Sequence, residues 1–400
     1  MLKKLTNPLG VVFFTLLLDK LGENILFPLL PFLLAAYNPD ALTIGLVASV
    51  STFFSTLASP ITGAFADSSG RRPIILACIG LNVGALLIFG WANSLAVILV
   101  SRALTGIAMS SNGALQAYIT DISTTGNRAR NLGLIGAAFG LGSIFGPALG
   151  GALVGFGAKV PIFVTAGLTI YNFATAFLFL KESRPRVAGQ KLELRQVNLI
   201  KPVIDLLRTP VINRVAVGFG AYSFAFSAFA SLLVLALKDL FGWNSTQTSG
   251  IFVLLGITLT AAQLGFTGRA VKKFGEYSAN RIGMLATAFA LALIPAASLI
   301  KPLSATLVIL SAMLLATGAS FVQPTSRSLV SGLTPSEKQG VVLGSLTSVT
   351  NLASCAGPIV AGLIYDKSPT SSFLAQAAII LLGVLLLGSN PKVNEELEQA

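Results

Sequence analysis

Twelve stretches of this chain are each apolar over a length that can cross a lipid bilayer, which takes about 20 helical residues. They fall near 9 to 35, 42 to 66, 73 to 92, 95 to 120, 132 to 156, 161 to 180, 211 to 237, 247 to 268, 281 to 300, 303 to 327, 341 to 365 and 371 to 389. In lipid every backbone N–H and C=O must be satisfied within the protein, so runs of this length are read as helices. The chain has 54% hydrophobic and only 10% charged residues, and its mean hydropathy is +0.81. Soluble domains are about a quarter charged. The expected fold is an all-α membrane protein with twelve transmembrane helices in two six-helix bundles, residues 1–180 and 211–400, joined by a cytoplasmic linker over 181–210.

The first run, Val11 to Ala35, carries Asp19, Lys20 and Glu23 in its middle. A charge facing lipid there is expensive, so these three need partners or a function. Lys3 and Lys4 ahead of an apolar stretch resemble the start of a secretory signal, but the apolar region of a signal, about 7 to 15 residues, does not hold three charges. The run is expected to stay as the first helix. Elsewhere the basic residues follow the positive-inside rule. With the N-terminus inside, 21 Lys and Arg fall in cytoplasmic segments, and only Lys159, Lys238, Lys301 and Lys367 fall on the other side. Both termini are therefore expected in the cytoplasm. The net charge of +12 is topological, with no aromatic-interleaved basic patch that would suit nucleic acid. Cys78 and Cys355 lie inside separate apolar runs and read as buried thiols. With no His and no Cys cluster, the chain offers no usual zinc site and no Ser-His-Asp set, and no cofactor is expected.

The halves repeat. The fifth run reads LGLIGAAFGLGSIFGPALGG from Leu132, and the eleventh reads LGSLTSVTNLASCAGPIVAG from Leu343; the Leu-Gly, Gly-Pro and final Gly are all displaced by 211 positions. Such repeats usually place a substrate path near the midplane between the halves.

GAFADSSGRRPIIL (Gly63 to Leu76) resembles the loop signature between the second and third helices of the major facilitator superfamily. SRALTGIAMSSNGALQAYITD (Ser101 to Asp121) resembles that superfamily's fourth-helix signature, and GLGSIFGPALGG (Gly140 to Gly151) the fifth-helix signature of its antiporters. With DKLGENILFPLLPFL at the start, the whole chain resembles the twelve-helix drug/proton antiporter group, and within it the tetracycline-efflux type. The resemblance implies a multi-pass cell-membrane protein (the inner or plasma membrane if bacterial), expected as a monomer. It is expected to move a small-molecule substrate against protons, with the lipid bilayer as surroundings and no nucleic acid as partner.

What each motif implies has a plainer reading beside it. By resemblance, Asp67 caps the eleventh helix, Arg71 pairs with Asp121, and Gly63, Gly70 and Arg72 complete a conformational latch; the alternative is a solvated loop obeying the charge rule. Ser68 stands where the family often has a basic residue. In the fifth helix Gly142, Gly146, Gly150 and Gly151 permit close helix approach and Pro147 a bend. That the bend seals the path against leak comes from the resemblance. Arg102 corresponds to the family's fourth-helix Arg linked to proton coupling, or else snorkels to the outer interface.

Of the 15 acids, only Asp19 and Glu23 lie well inside a predicted span. Four residues apart, they share a helix face about 6 Å apart along the axis. Burial and a like-charged neighbour both raise a carboxyl pKa, so the pair can hold a shared proton. A packing role with Lys20 or Arg102 is the alternative. Asn24, Asn112, Gln116, Gln263, Gln323 and Asn351 are polar candidates for a substrate lining, and Tyr222 and Phe226 belong to an aromatic seventh helix that suits flat lipophilic ligands. Lipid contact would explain that helix equally well. The tetracycline-efflux pattern has further intramembrane acids in its third and ninth helices; here Asn82 stands in the third and the ninth has none. The rival functions are transport of a metabolite, such as a sugar or organic acid, and a receptor or scaffold without flux. An enzyme is not expected, since no nucleophile-base set is present.

Overall fold

The structure is a computed structural model that describes residues 8–26, 29–124, 127–183, 200–335 and 338–388. Among them there are helices and no strand. The first apolar run is divided into α1 (Pro8–Leu26) and the short α2 (Leu30–Leu34), with Pro31 in the first turn of α2. A proline lacks the N–H that a helix interior requires but is accepted at a helix start. The second run becomes α3 (Ala41–Ser69), and α4 (Arg71–Gly90) follows after a single residue, Gly70. Gly70 has φ +99°, a conformation that only glycine adopts without strain, which is how two long helices join with no loop. The fourth run is two helices, α5 (Leu95–Met109) and α6 (Ser111–Asp121), and the fifth and sixth are α7 (Arg128–Val154) and α8 (Val160–Phe179).

Of the expected linker, residues 184–199 lie outside the described part. It ends in α9 (Ile200–Arg208), followed by α10 (Pro210–Phe241). The eighth and ninth runs form α11 (Ser245–Ala262), a π-turn over Gln263–Thr267, and α12 (Gly268–Leu299), which is interrupted at Gly275 (φ +76°). The last three runs are α13 (Ser304–Gly332), α14 (Gln339–Tyr365) and α15 (Pro369–Leu387). Ten helices among the described residues are long and apolar enough to cross a membrane. α1, with its three charges, is not among them, and Ser245–Leu299 counts once.

The chain forms two compact units. One comprises Met1–Asn38, Val50–Val197 and Ser245–Val253, the other Pro39–Ser49, Asn198–Asn244 and Leu254–Ala400. The first turns of α3 and of α11 are each grouped with the unit opposite to the rest of their helix. In the first unit Val12, Leu16, Ile75, Ile79, Leu115, Tyr118 and Ile119 form the buried core. In the second, α12 meets α13 backbone to backbone, since a Cβ on Gly283 would stand 2.7 Å from the Gly318 carbonyl oxygen. Beside that contact, buried Asn280 donates to Thr325 Oγ1 at 2.9 Å and Ser326 Oγ at 2.7 Å. Small residues and interhelical hydrogen bonds supply the association that hydrophobic burial cannot supply in lipid.

Candidate functional site

The charges of α1 are placed by the glycines of α7. A Cβ on Gly142 would stand 2.8 Å from Lys20 Cβ, one on Gly146 2.6 Å from Asn24 Cβ, and one on Gly150 2.6 Å from the Ile25 carbonyl oxygen. Four-residue spacing puts these glycines on one face of α7, and together they clear places for Lys20, Asn24 and Ile25 of α1. On its other side α1 touches α8: a Cβ on Gly22 would be 3.0 Å from Thr165 Cγ2, and buried Asn172 donates from Nδ2 to the Thr15 carbonyl at 3.4 Å. Wedged so, α1 holds Lys20 Nζ 2.7 Å from Glu23 Oε2, with side-chain exposures of 13% and 38%. Asn24 Nδ2 donates to the Lys20 carbonyl at 2.7 Å, so one of the polar lining candidates is tied to its own helix. Asp19 is outside the Lys20–Glu23 ion pair and half-buried.

Arg102 is on α5. Its guanidinium carbon lies 4.4 Å from the Phe89 ring centroid, a cation–π contact. Among the described residues its buried Nε and Nη2 donate to no acceptor, and it makes no ion pair with the acids of α1. α5 is fixed against α3 by Gly106, whose Cβ would lie 2.2 Å from the Ser51 carbonyl oxygen, and by Ser51 Oγ donating to the Arg102 carbonyl at 3.1 Å.

Arg71 is the centre of a third group. Its Nη2 is 2.7 Å from Asp67 Oδ1 and its Nε 3.3 Å from Asp121 Oδ2. Ser183 Oγ donates to the same Asp121 oxygen at 3.1 Å. A residue that the sequence reading missed, Glu182, completes the group: its Oε1 accepts from Arg71 N at 2.8 Å and its Oε2 from Arg72 N at 3.1 Å. The carboxylate thus caps the first turn of α4, where the helix dipole favours an anion. Gly70 makes room for it, since a Cβ there would be 2.6 Å from Glu182 Oε2. Arg72 turns to the Phe177 carbonyl at 2.8 Å and over that residue's ring. Gly63 has no atom within 4 Å of where a Cβ would be.

In the second unit α10 carries a ladder of rings. Phe219 and Tyr222 stack with centroids 6.2 Å apart, Tyr222 and Phe226 5.6 Å apart, and Phe229 follows at 6.3 Å. Phe219, Tyr222 and Phe229 are buried, so these rings do not face lipid. Gln323 lies beside the Tyr222 hydroxyl. The other candidates are not gathered: Gln263 is exposed on the π-turn, Asn351 is half-buried on α14, and in the first unit Asn112 is half-buried and Gln116 exposed on α6. Gly151 and Pro147 are buried on α7, Gly151 against Ser249. Outside the spans, Asp40 caps its own helix by accepting from Thr43 N at 2.8 Å, and hydrogen bonds from Thr43 hold its carboxyl below the usual range.

Helices of spanning length, with Lys20 and Arg102 drawn inward among them, mark a polytopic membrane protein. The chain belongs to the Major Facilitator Superfamily, whose sequence profile matches residues 12–358 and 282–399. It is 31% identical over 364 residues to the tetracycline resistance protein, class G, of Vibrio anguillarum, covering 88% of each chain. It is 26% identical to multidrug resistance protein 2 of Bacillus subtilis, covering 96% of each. Among solved structures it resembles the human organic anion transporter MFSD10, with 26% identity, a TM-score of 0.72 and coverage of 95% of this chain and 98% of that one. The chain is a multi-pass protein of the cell membrane.

Proposed function

We propose that this protein is an efflux antiporter that exchanges lipophilic small molecules for protons by alternating access. The observation that carries the reading is the Lys20–Glu23 pair at 2.7 Å with Asp19 beside it, packed on the glycine face of α7. Protonating Glu23 removes one partner of that ion pair, so the charge left on α1 depends on how many protons its two carboxyls hold. A cationic or neutral solute then competes with protons for Asp19 and Glu23. The tetracycline and multidrug resistance relatives support efflux. Counting α1 as a span, and Ser245–Leu299 as two spans on either side of Gly275, the fold is read as twelve helices in two six-helix bundles with both termini cytoplasmic and the protein a monomer. Asp67, Arg71 and Asp121 act as the conformational latch, and the α10 ladder with Gln323 lines the path in the second bundle.

A second reading has one observation in its favour. The buried Nε and Nη2 of Arg102 suit a carboxylate or sulfonate, and the structural relative MFSD10 is named an organic anion transporter. The test is transport in proteoliposomes with an imposed pH gradient, using tetracycline, a lipophilic cation and an aromatic carboxylate in turn. Asp19→Asn and Glu23→Gln should each abolish gradient-driven accumulation of the cation while leaving downhill flux. Full gradient-driven transport in both variants removes the proton assignment, and accumulation of the carboxylate alone, lost in Arg102→Gln, selects the second reading.

A further inference from the structure

The N-terminus of α3 is capped twice. Asp40 caps it from its own chain neighbourhood, and a second carboxylate arrives from 325 residues away: Asp366 Oδ1 accepts from Ala41 N at 2.8 Å and its Oδ2 from Leu42 N at 3.1 Å. Asp366 itself follows the last turn of α14, its N–H bonded to the Gly362 carbonyl. A carboxylate at the C-terminal end of a helix is disfavoured by that helix's own dipole. Its position is favourable because of α3, whose first N–H groups have no partner within their own helix.

Behind the cap the two helices touch as backbone. A Cβ on Gly362 would lie 2.6 Å from the Ala41 carbonyl oxygen, and one on Gly45 2.2 Å from that of Pro358. Deeper still, Cys355 Sγ donates to the Ser49 carbonyl at 3.7 Å. Positions 41, 45 and 49 face 355, 358, 362 and 366, a stripe on each helix at helical spacing, and all of them belong to the second unit.

The internal repeat supplies a comparison. The displacement of 211 positions places Gly151 opposite Gly362 and Gly155 opposite Asp366. In the first unit Gly151 makes the matching contact with the first turns of α11, where its Cβ would be 2.5 Å from Ser249 Cβ. Gly155 brings no carboxylate. The chain thus builds the same close seam twice and puts a charged cap on one of them.

We propose that Asp366 is a carboxylate latch on the start of α3, and that the α3–α14 seam opens and closes by breaking and remaking this cap while the α7–α11 seam works without one. Two charge-assisted hydrogen bonds aligned with a helix dipole make a contact that is strong when formed and lost together when the helices part.

The test reads the seam directly and needs neither substrate nor pH gradient, so its failure is distinct from failure of the proton assignment. In the full chain carrying Cys78→Ser and Cys355→Ser, a reporter Ile44→Cys is introduced next to Gly45 of the seam, where Ile44 is 1% exposed. Its rate of modification by a water-soluble maleimide is measured in liposomes for Asp366, Asp366→Asn, Asp366→Ala and Asp366→Glu. A matched reporter, Thr248→Cys, stands next to Ser249 of the uncapped seam, where Thr248 is 0% exposed. Modification at position 44 should rise about fivefold in Asp366→Asn and Asp366→Ala, as expected for loss of an exposed charge at a helix end (about 1 kcal/mol), and return towards the parent rate in Asp366→Glu. The rate at position 248 should stay within about twofold. Unchanged rates at 44 overturn the latch, as does an equal rise at both reporters, which would mark general loosening.

Discussion

Gly142 lies so close to Lys20 that a Cβ on the glycine would stand 2.8 Å from the lysine Cβ. The lysine is in turn 2.7 Å from Glu23, so the packing of α7 sets where this charge pair sits. Enlarging the face should therefore displace α1. Gly146→Val is expected to destabilise the protein by about 1–3 kcal/mol through overpacking, read as a lower thermal midpoint in detergent and slower substrate exchange. Gly136→Ala, on the same helix with no atom within 4 Å, should leave both unchanged. Equal effects would dissociate the glycine face from the charge pair.

Glu182 and Gly70 make a coupled pair. Glu182→Ala removes the cap on Arg71 N and Arg72 N and should cost about 1 kcal/mol. Gly70→Ala places a Cβ 2.6 Å from the Glu182 carboxylate at φ +99°, and should cost about 1–3 kcal/mol for the backbone conformation in addition to the clash. In the double variant the clash disappears and the backbone cost stays, so the combined loss should be smaller than the sum. A thermal-denaturation double-mutant cycle measures this, and strict additivity would contradict it.

Asp40 gives a pH dependence with a definite sign. Its carboxyl is held below the usual range by Thr43, so its contribution to α3 is fully present above the ordinary aspartate pKa of about 4 and is lost as pH falls through the lower folded value. The stability difference between the protein and Asp40→Ala should be constant from pH 8 to 5 and should shrink below about pH 4. A difference that grows on acidification would reverse the assignment.

The ring ladder predicts where a flat ligand binds. Phe226→Ala interrupts the stack between Tyr222 and Phe229 and should weaken equilibrium binding of a lipophilic cation roughly tenfold, about 1.4 kcal/mol. Affinity unchanged in both Phe226→Ala and Tyr222→Ala would take the ladder out of the site.

Much of this arrangement was legible in the chain because it is local. Apolar runs mark helices, and the glycine-rich fifth run marks the face on which α1 packs. Pro31 and Gly275 lie where helices start or are interrupted, yet the run pattern alone passed over both, since hydropathy is blind to backbone conformation. The caps were not legible. Glu182 and Asp366 lie at run ends, where a charge is fully explained by topology, and their partners are 111 and 325 residues distant. Periodicity reports which face of a helix is apolar and carries no information on which remote helix start a carboxylate will meet.

α3 begins in one unit and, after Ser49, continues in the other. A displacement between the units therefore cannot be taken up by a loop at that point. It would fall on a helix of 29 residues whose backbone ladder lacks a hydrogen bond at Pro60. α11 is divided between the units in the same way, after Val253.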